Sequence, residues 1–187
     1  HLRLDHRRRQ AAQVGVAGDH VVQRRTAAAI GNLIALGADL LHEHHATQMP
    51  ECADPGMRDI VLTTEEEGVA LATGAWLGGQ RAVLLMQSSG VGNCINMFSL
   101  LQSCRIPFLT LVTMRGEYAE FNNWQCPMGE ATPAALELMG FKVMRAQEPG
   151  EVEDLIGAAL DAAFEGGQQV ALLLSQRLIG RKKWIAK

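Results

Sequence analysis

Short, almost wholly apolar runs alternate with helix-like segments from residue 60 onward, and this alternation constrains the fold more than any other feature. The runs RAVLLM at 81–86, PFLTLVT at 107–113 and QVALLL at 169–174 are typical of strands buried on both faces of a sheet. Between them, segments 65–77 and 148–164 are rich in alanine, leucine and acidic residues and predict helices. The pattern predicts an α/β fold, a three-layer α/β/α sandwich around a mainly parallel sheet.

Weaker signals fill the gaps between these elements. Short strands are predicted at 60–62 and 141–145. The remaining predicted elements are a glycine turn at 90–93, a helix at 94–104, a polar loop at 114–131 and a helix from Thr132 and Pro133 to about Gly140.

Polar segments follow three of the predicted strands, at 63–67, 87–93 and 114–129. Because parallel strands have their carboxyl ends at one edge of a sheet, we expect these segments to lie together there. Ligands of such sheets bind at that edge.

Composition excludes several classes of protein. The net charge of −3 and the aromatic content of 5% argue against binding to nucleic acid. No run of eighteen apolar residues exists, so no membrane-spanning segment is predicted. The four cysteines form no CxxC pair, which is typical of reduced thiols in a cytoplasmic protein.

Residue usage changes near residue 55. All six histidines lie within the first 45 residues, whereas all four lysines follow residue 140. We therefore expect residues 1–55 to be an atypical N-terminal segment, an altered or poorly ordered start of the domain. Residues 56–181 are predicted to form the domain itself, and residues 182–187 a basic tail.

Two motifs at the predicted edge allow more than one interpretation. TTEEEG at 63–68 puts three carboxylates at a helix start, where they either stabilise the helix dipole or include one group for proton chemistry. Gly90 and Gly92 follow a buried strand, but Ile95 stands where a dinucleotide fingerprint needs a third glycine. A tight turn or a close packing contact remains.

The histidines and cysteines give little sign of chemistry of their own. HEHH at 42–45 lacks the second histidine of the zincin motif because Ala46 stands there, so we expect a solvated helix end and no metal site. Cys94 has no histidine after residue 45 to activate it, and we expect a buried structural thiol.

Four segments in order carry a family resemblance: GMRDIVLTTEEEGVALATGAWLGG, RAVLLMQSSGVGNCINMFSLL, RIPFLTLVTMRGE and QCPMG. Together they resemble the pyrimidine-binding domain of thiamine-diphosphate-dependent decarboxylases, especially those acting on sulfopyruvate or phosphonopyruvate. The resemblance implies that Glu66 is the catalytic residue, because it hydrogen-bonds N1′ of the cofactor's aminopyrimidine ring.

The same resemblance implies the remaining site residues. Those near the cofactor are Gly90, Gly92 and Asn93, beside Glu66, and those near the 2-oxo-acid substrate are Ser88, Asn93, Asn96 and Gln125. Arg115 is added from its position at a strand end, where an anionic substrate would be met by a cation.

The resemblance also implies a partner. Decarboxylases of this kind hold Mg²⁺ and the diphosphate through a GDG…N motif, and no GDG occurs in this chain. The chain is therefore expected to share thiamine diphosphate with a β-type subunit that binds the diphosphate and Mg²⁺, in an oligomer that is a carboxy-lyase only when assembled. Two alternatives stay open: a carboligase subunit of the acetolactate synthase type, and a noncatalytic assembly subunit.

Overall fold

Residues 13–17 and 57–181 are described in this computed structural model, and a six-stranded sheet runs through them. The strands are β1 Gln13–Ala17, β2 Met57–Val61, β3 Arg81–Gln87, β4 Phe108–Thr113, β5 Lys142–Ala146 and β6 Gln169–Leu174. Their spatial order is β2-β1-β3-β4-β6-β5. Strands β3, β4, β6 and β5 pair in parallel, and β1 is antiparallel to both of its neighbours. Five of the six strands therefore have their carboxyl ends at the same edge.

Helices cover both faces of this sheet. The α-helices among the described residues are α1 Glu65–Leu77, α2 Ser88–Cys104, α3 Cys126–Leu138 and α4 Val152–Leu160, the last continuing as a π-helical turn. Helices α1 to α3 share one hydrophobic core with the sheet, and α4 packs into a second core on the opposite face. This arrangement confirms the predicted α/β sandwich. None of these helices is long and apolar enough to cross a membrane.

Strand β3 shows why the central strands are apolar throughout. Leu84 and Met86 belong to the core under α1 to α3, whereas Val83 belongs to the core under α4. Successive side chains of a strand point to opposite faces. A strand covered on both faces must therefore be apolar at every position, and polar alternation is lost.

Some predicted bounds are confirmed, but the strand predicted at 60–62 is Met57–Val61, and two predicted helix starts are wrong. Helix α1 and strand β6 have the predicted limits. Helix α2 begins at Ser88, so the glycines predicted to form a turn before the helix lie inside its first turns. Helix α3 begins at Cys126, so the predicted start, Thr132, is internal, and its hydroxyl donates to the Met128 carbonyl one turn earlier instead of capping the helix. The polar loop is correspondingly shorter than predicted.

Strand β1 lies within the segment that residue usage separates from the rest, yet it pairs with β2 and β3 in the same sheet. The division at residue 55 stays a prediction. The histidine motif at 42–45 and the basic tail at 182–187 lie outside the described residues.

Candidate functional site

Three polar segments meet at the carboxyl edge of the sheet. The side-chain amide of Asn93, on α2, donates to Glu65 on α1 across 2.8 Å. The backbone N–H of Arg115, after β4, donates to the hydroxyl of Ser88 across 3.1 Å. These contacts join the segments that follow β2, β3 and β4, as the parallel sheet predicted.

The three glutamates that begin α1 have different surroundings. Glu67 is exposed and accepts a 2.8 Å hydrogen bond from the Thr63 N–H, whereas the side chain of Thr64 does not cap the helix. Glu65 accepts from Asn93. Glu66 is half-buried, and its Oε2 is buried without a hydrogen-bond partner among the described residues. A buried acceptor left unpaired is costly, so Glu66 is the carboxylate of the three whose hydrogen-bonding capacity the described residues leave unfilled.

Gly90 lets α2 approach the acidic start of α1. A Cβ at Gly90 would lie 2.5 Å from Cγ and 2.8 Å from Cδ of Glu65. Gly92 is less constrained, because its Cβ would meet only the flexible end of Met128, with the Sδ atom at 3.2 Å. Gly90 therefore serves a close packing contact, one of the two interpretations that the glycine spacing allowed.

Cys94 lies beneath these residues with no exposed surface. Burial, with a smaller contribution from the charges of Glu65 and Glu66, raises the pKa of its thiol to about 12. Its Sγ atom lies 4.0 Å from Sδ of Met86. A thiol with this pKa carries almost no thiolate at neutral pH, so Cys94 is the structural thiol that the sequence predicted.

Two of the predicted substrate residues lie on α2. Ser88 is buried, and its hydroxyl and carbonyl bind the backbone of Arg115 and the hydroxyl of Thr132. Asn96 lies nearly one helical turn beyond Asn93, exposed and outside the hydrogen bonds of this cluster. The structure brings Ser88 and Asn93 to the edge, while Asn96 stands farther along the helix.

Gln125, immediately before α3, is 8% exposed, and its Oε1 is buried without a partner in the described part of the chain. It is therefore a second buried acceptor at the edge, besides Glu66. Such an atom is normally paired in a folded protein, so a donor from a ligand or another chain would fit it.

Arg115 is already paired. Its Nε and Nη2 atoms donate to the two carboxylate oxygens of Glu120 at 2.7 and 2.8 Å, and its Nη1 donates to Gln87 at 3.3 Å. An anionic substrate would meet a neutralised pair here instead of a free cation. Its predicted substrate role stays a prediction, and the structure gives it a definite second role in holding the loop.

Sequence reasoning did not distinguish Glu65 within the acidic motif, and it missed Glu120. Glu65 stands beside the chosen Glu66, and only the contact with Gly90 and Asn93 distinguishes the two. Glu120 belongs to no motif, and its partner Arg115 lies across a loop whose path the sequence does not define. Within the described residues, no group of three or more metal-ligating side chains could hold a metal ion.

Comparison with known proteins adds an independent line of information. The chain is 37% identical over 123 residues to the sulfopyruvate decarboxylase subunit alpha of Methanothermobacter thermautotrophicus, which covers 65% of this chain and 74% of that protein. It is 38% identical over 122 residues to the sulfopyruvate decarboxylase subunit alpha of Methanococcus maripaludis, and this match covers 65% of this chain and 73% of that protein. The phosphonopyruvate decarboxylase of Streptomyces viridochromogenes is 41% identical over 88 residues, 46% of this chain and 22% of that protein. No family profile matches the chain.

Proposed function

The chain belongs to the family of sulfopyruvate decarboxylase alpha subunits, and we propose that it supplies the carboxylate that activates thiamine diphosphate in a decarboxylase of a small 2-oxo acid. Sulfopyruvate and phosphonopyruvate are the proposed substrates, from the names of its relatives. In this proposal residues 56–181 form the pyrimidine-binding domain. The single observation that carries it is the buried, unpartnered oxygen of Glu66 at the carboxyl edge of the sheet.

The residues present fit an aminopyrimidine ring. A ring nitrogen next to Glu66 would supply the hydrogen-bond partner that its Oε2 lacks. Gly90 lets α2 pack directly on the side chain of Glu65, which fixes the carboxylate next to Glu66. Asn93 adds an exposed amide to the same place.

Within this site the chain binds, orients and holds a proton. We propose that Glu66 shares a proton with N1′ of the ring, while Asn93 and Gly90 hold the neighbouring Glu65 in place. When bound, thiamine diphosphate supplies an electron sink for the carbon that loses carbon dioxide. Ser88, Asn93, Asn96, Arg115 and Gln125 are the proposed substrate-binding side chains. Gln125 has the strongest structural support among them, because its buried Oε1 lacks a partner.

A partner completes the proposed enzyme. The relatives are named alpha subunits, which implies a second subunit. We propose that this β-type subunit holds the diphosphate and Mg²⁺ in a cytoplasmic hetero-oligomer containing several copies of each chain.

The decisive experiment compares three adjacent substitutions in the assembled complex. Glu66→Gln should lower kcat by about 100-fold or more, because it removes the group that shares the proton, without lowering the melting temperature. Glu67→Gln is the matched control, since Glu67 is exposed and bonds only the start of its own helix. Carbon dioxide release from sulfopyruvate and from phosphonopyruvate is measured with the β-type subunit, thiamine diphosphate and Mg²⁺ present.

Glu65→Gln separates the function from the residue assignment. If this variant loses activity and Glu66→Gln keeps it, the assignment to Glu66 is wrong although the proposed function stands. If all three variants turn over like the wild type, the chain is a noncatalytic assembly subunit. A 2-hydroxy-ketone product in place of an aldehyde would identify a carboligase.

A further inference from the structure

Gln176 is a buried polar residue immediately beyond β6, far along the chain from every predicted site residue. It is 2% exposed, and both polar atoms of its side chain are bonded. Oε1 accepts from the backbone N–H groups of Glu117 and Tyr118 at 3.2 and 3.0 Å, and Nε2 donates to Glu120 at 2.9 Å. Its own N–H donates to the Glu117 carboxylate at 3.0 Å. The side-chain amide of Gln176 therefore bonds three positions of the loop after β4, and its backbone N–H adds a fourth contact to the same loop.

The residue of the loop that accepts the hydrogen bond from the Gln176 amide, Glu120, is itself nearly buried. The Glu120 side chain is 4% exposed and accepts from the Arg115 guanidinium, the Asn122 N–H and Gln176. Burial alone would raise the pKa of Glu120, but these hydrogen bonds and the Arg115 charge lower it to about 2. The loop is thus anchored at its beginning, its middle and its end.

The backbone of this loop packs closely against the start of α3. A Cβ at Gly116 would lie 2.6 Å from Cα of Cys126 and 2.8 Å from the carbonyl oxygen of Gln125. A Cβ at Gly129 would collide with the Arg115 carbonyl oxygen. Backbone thus meets backbone at both points, and no flexible side chain can absorb a shift of the loop. Displacement of the loop would move Gln125, whose buried Oε1 is unpartnered at the site edge.

We propose that Gln176 is a positioning residue of the active site, which fixes the loop after β4 so that Gln125 is held where a 2-oxo acid binds. The catalytic part of this proposal rests on the proposed function. The hydrogen bonds of Gln176 go to the loop after β4 and not to Glu66 or the start of α1, so we expect its effect to fall on the substrate and not on the cofactor.

Two substitutions test the proposal. Gln176→Met keeps the length of the side chain and removes its hydrogen bonds. Gln176→Glu keeps an acceptor for the Glu117 and Tyr118 N–H groups but turns the donor that faces Glu120 into a second carboxylate. The charged groups facing this position are Glu117 and Glu120, their partners Arg145 and Arg115, and Arg177, whose guanidinium lies over the Tyr118 ring. Gln80→Glu is the control, because Gln80 is exposed in the turn before β3.

The first readout needs no activity. Hydrogen exchange at the amides of Glu117 and Tyr118 should quicken about tenfold in Gln176→Met and stay unchanged in the Gln80→Glu control. The second readout uses the complex with its β-type subunit. We expect KM for the 2-oxo acid to rise about tenfold in Gln176→Met, with kcat and the half-saturating thiamine diphosphate concentration unchanged. In Gln176→Glu the rise should shrink as pH falls, because a proton on the new carboxyl restores the donor to Glu120.

Each result bears on the proposal. Unchanged exchange would show that Gln176 does not hold the loop. Faster exchange with an unchanged KM would show that the loop does not position the substrate. If the variant loses affinity for the substrate and for thiamine diphosphate alike, the substitution disturbs the whole site, and the proposed positioning role is overturned. If the wild-type complex releases no carbon dioxide, the proposed function falls with the catalytic part, and exchange still decides the anchoring.

Discussion

Replacing Gly90 by alanine tests the packing between α1 and α2 at the candidate site. The added Cβ would lie 2.5 Å from Cγ of Glu65, whereas ordinary van der Waals contact begins at 3.4 Å. The glutamate must therefore move by about 1 Å, since the helix backbone of α2 has less freedom than a side chain. Its 2.8 Å hydrogen bond from Asn93 would be lost or distorted.

The stability cost of Gly90→Ala should be small. Overpacking costs about 1–3 kcal/mol, and alanine in place of glycine inside a helix returns about 1 kcal/mol. The free energy of unfolding should thus fall by about 0–2 kcal/mol, whereas a 1 Å displacement beside the reacting group should lower kcat about 100-fold. Thermal unfolding and carbon dioxide release by the assembled complex measure the two effects separately.

Gly74→Ala is the matched control. Gly74 lies inside α1, and a Cβ there would meet nothing within 4 Å. This variant should gain up to about 1 kcal/mol of stability and keep its activity. Wild-type kcat in Gly90→Ala would refute the reasoning, because it would show that the position of Glu65 does not matter to the chemistry.

Three further predictions concern the described core and loop. Iodoacetamide at pH 8 should label the exposed Cys104 but not Cys94, whose burial raises its pKa to about 12, and equal labelling of the folded protein would contradict this. Hydrogen bonds from Arg115 outweigh burial and lower the pKa of Glu120 from 4.5 to about 2, so its contribution to stability is complete above pH 4.5 and is lost as pH falls towards 2. Acid unfolding followed by circular dichroism should show a shallower loss over this range in Glu120→Gln. Phe98→Ala should cost about 3–5 kcal/mol in urea unfolding because Phe98 is wholly buried, whereas the partly exposed Leu100→Ala on the same helix should cost far less.

Helix starts were the weakest part of the sequence prediction. Glycines and a Thr-Pro pair are strong local signals for a turn and for a first helical turn. At α2 the tertiary contact between Gly90 and Glu65 gives the glycine a packing role inside the helix. At α3 the Thr132 hydroxyl donates to a carbonyl one turn earlier, a bond available only when the helix has already begun. The same hydroxyl also lies 3.3 Å from the Ser88 carbonyl on α2, so in both places a tertiary contact accompanies the departure from the local signal.

The sequence by itself determined the fold class and the edge at which a site forms. Apolar strands that lack alternation require a cover on both faces, and parallel strands put their following segments at one edge. Only the tertiary structure decided which side chains meet there. It pairs Arg115 with Glu120, brings Glu65 to Gly90 and Asn93, and places Gln176 under a loop that precedes it by more than fifty residues. Such contacts depend on the directions of side chains and on the paths of loops, and neither can be predicted from the spacing of residues along the chain.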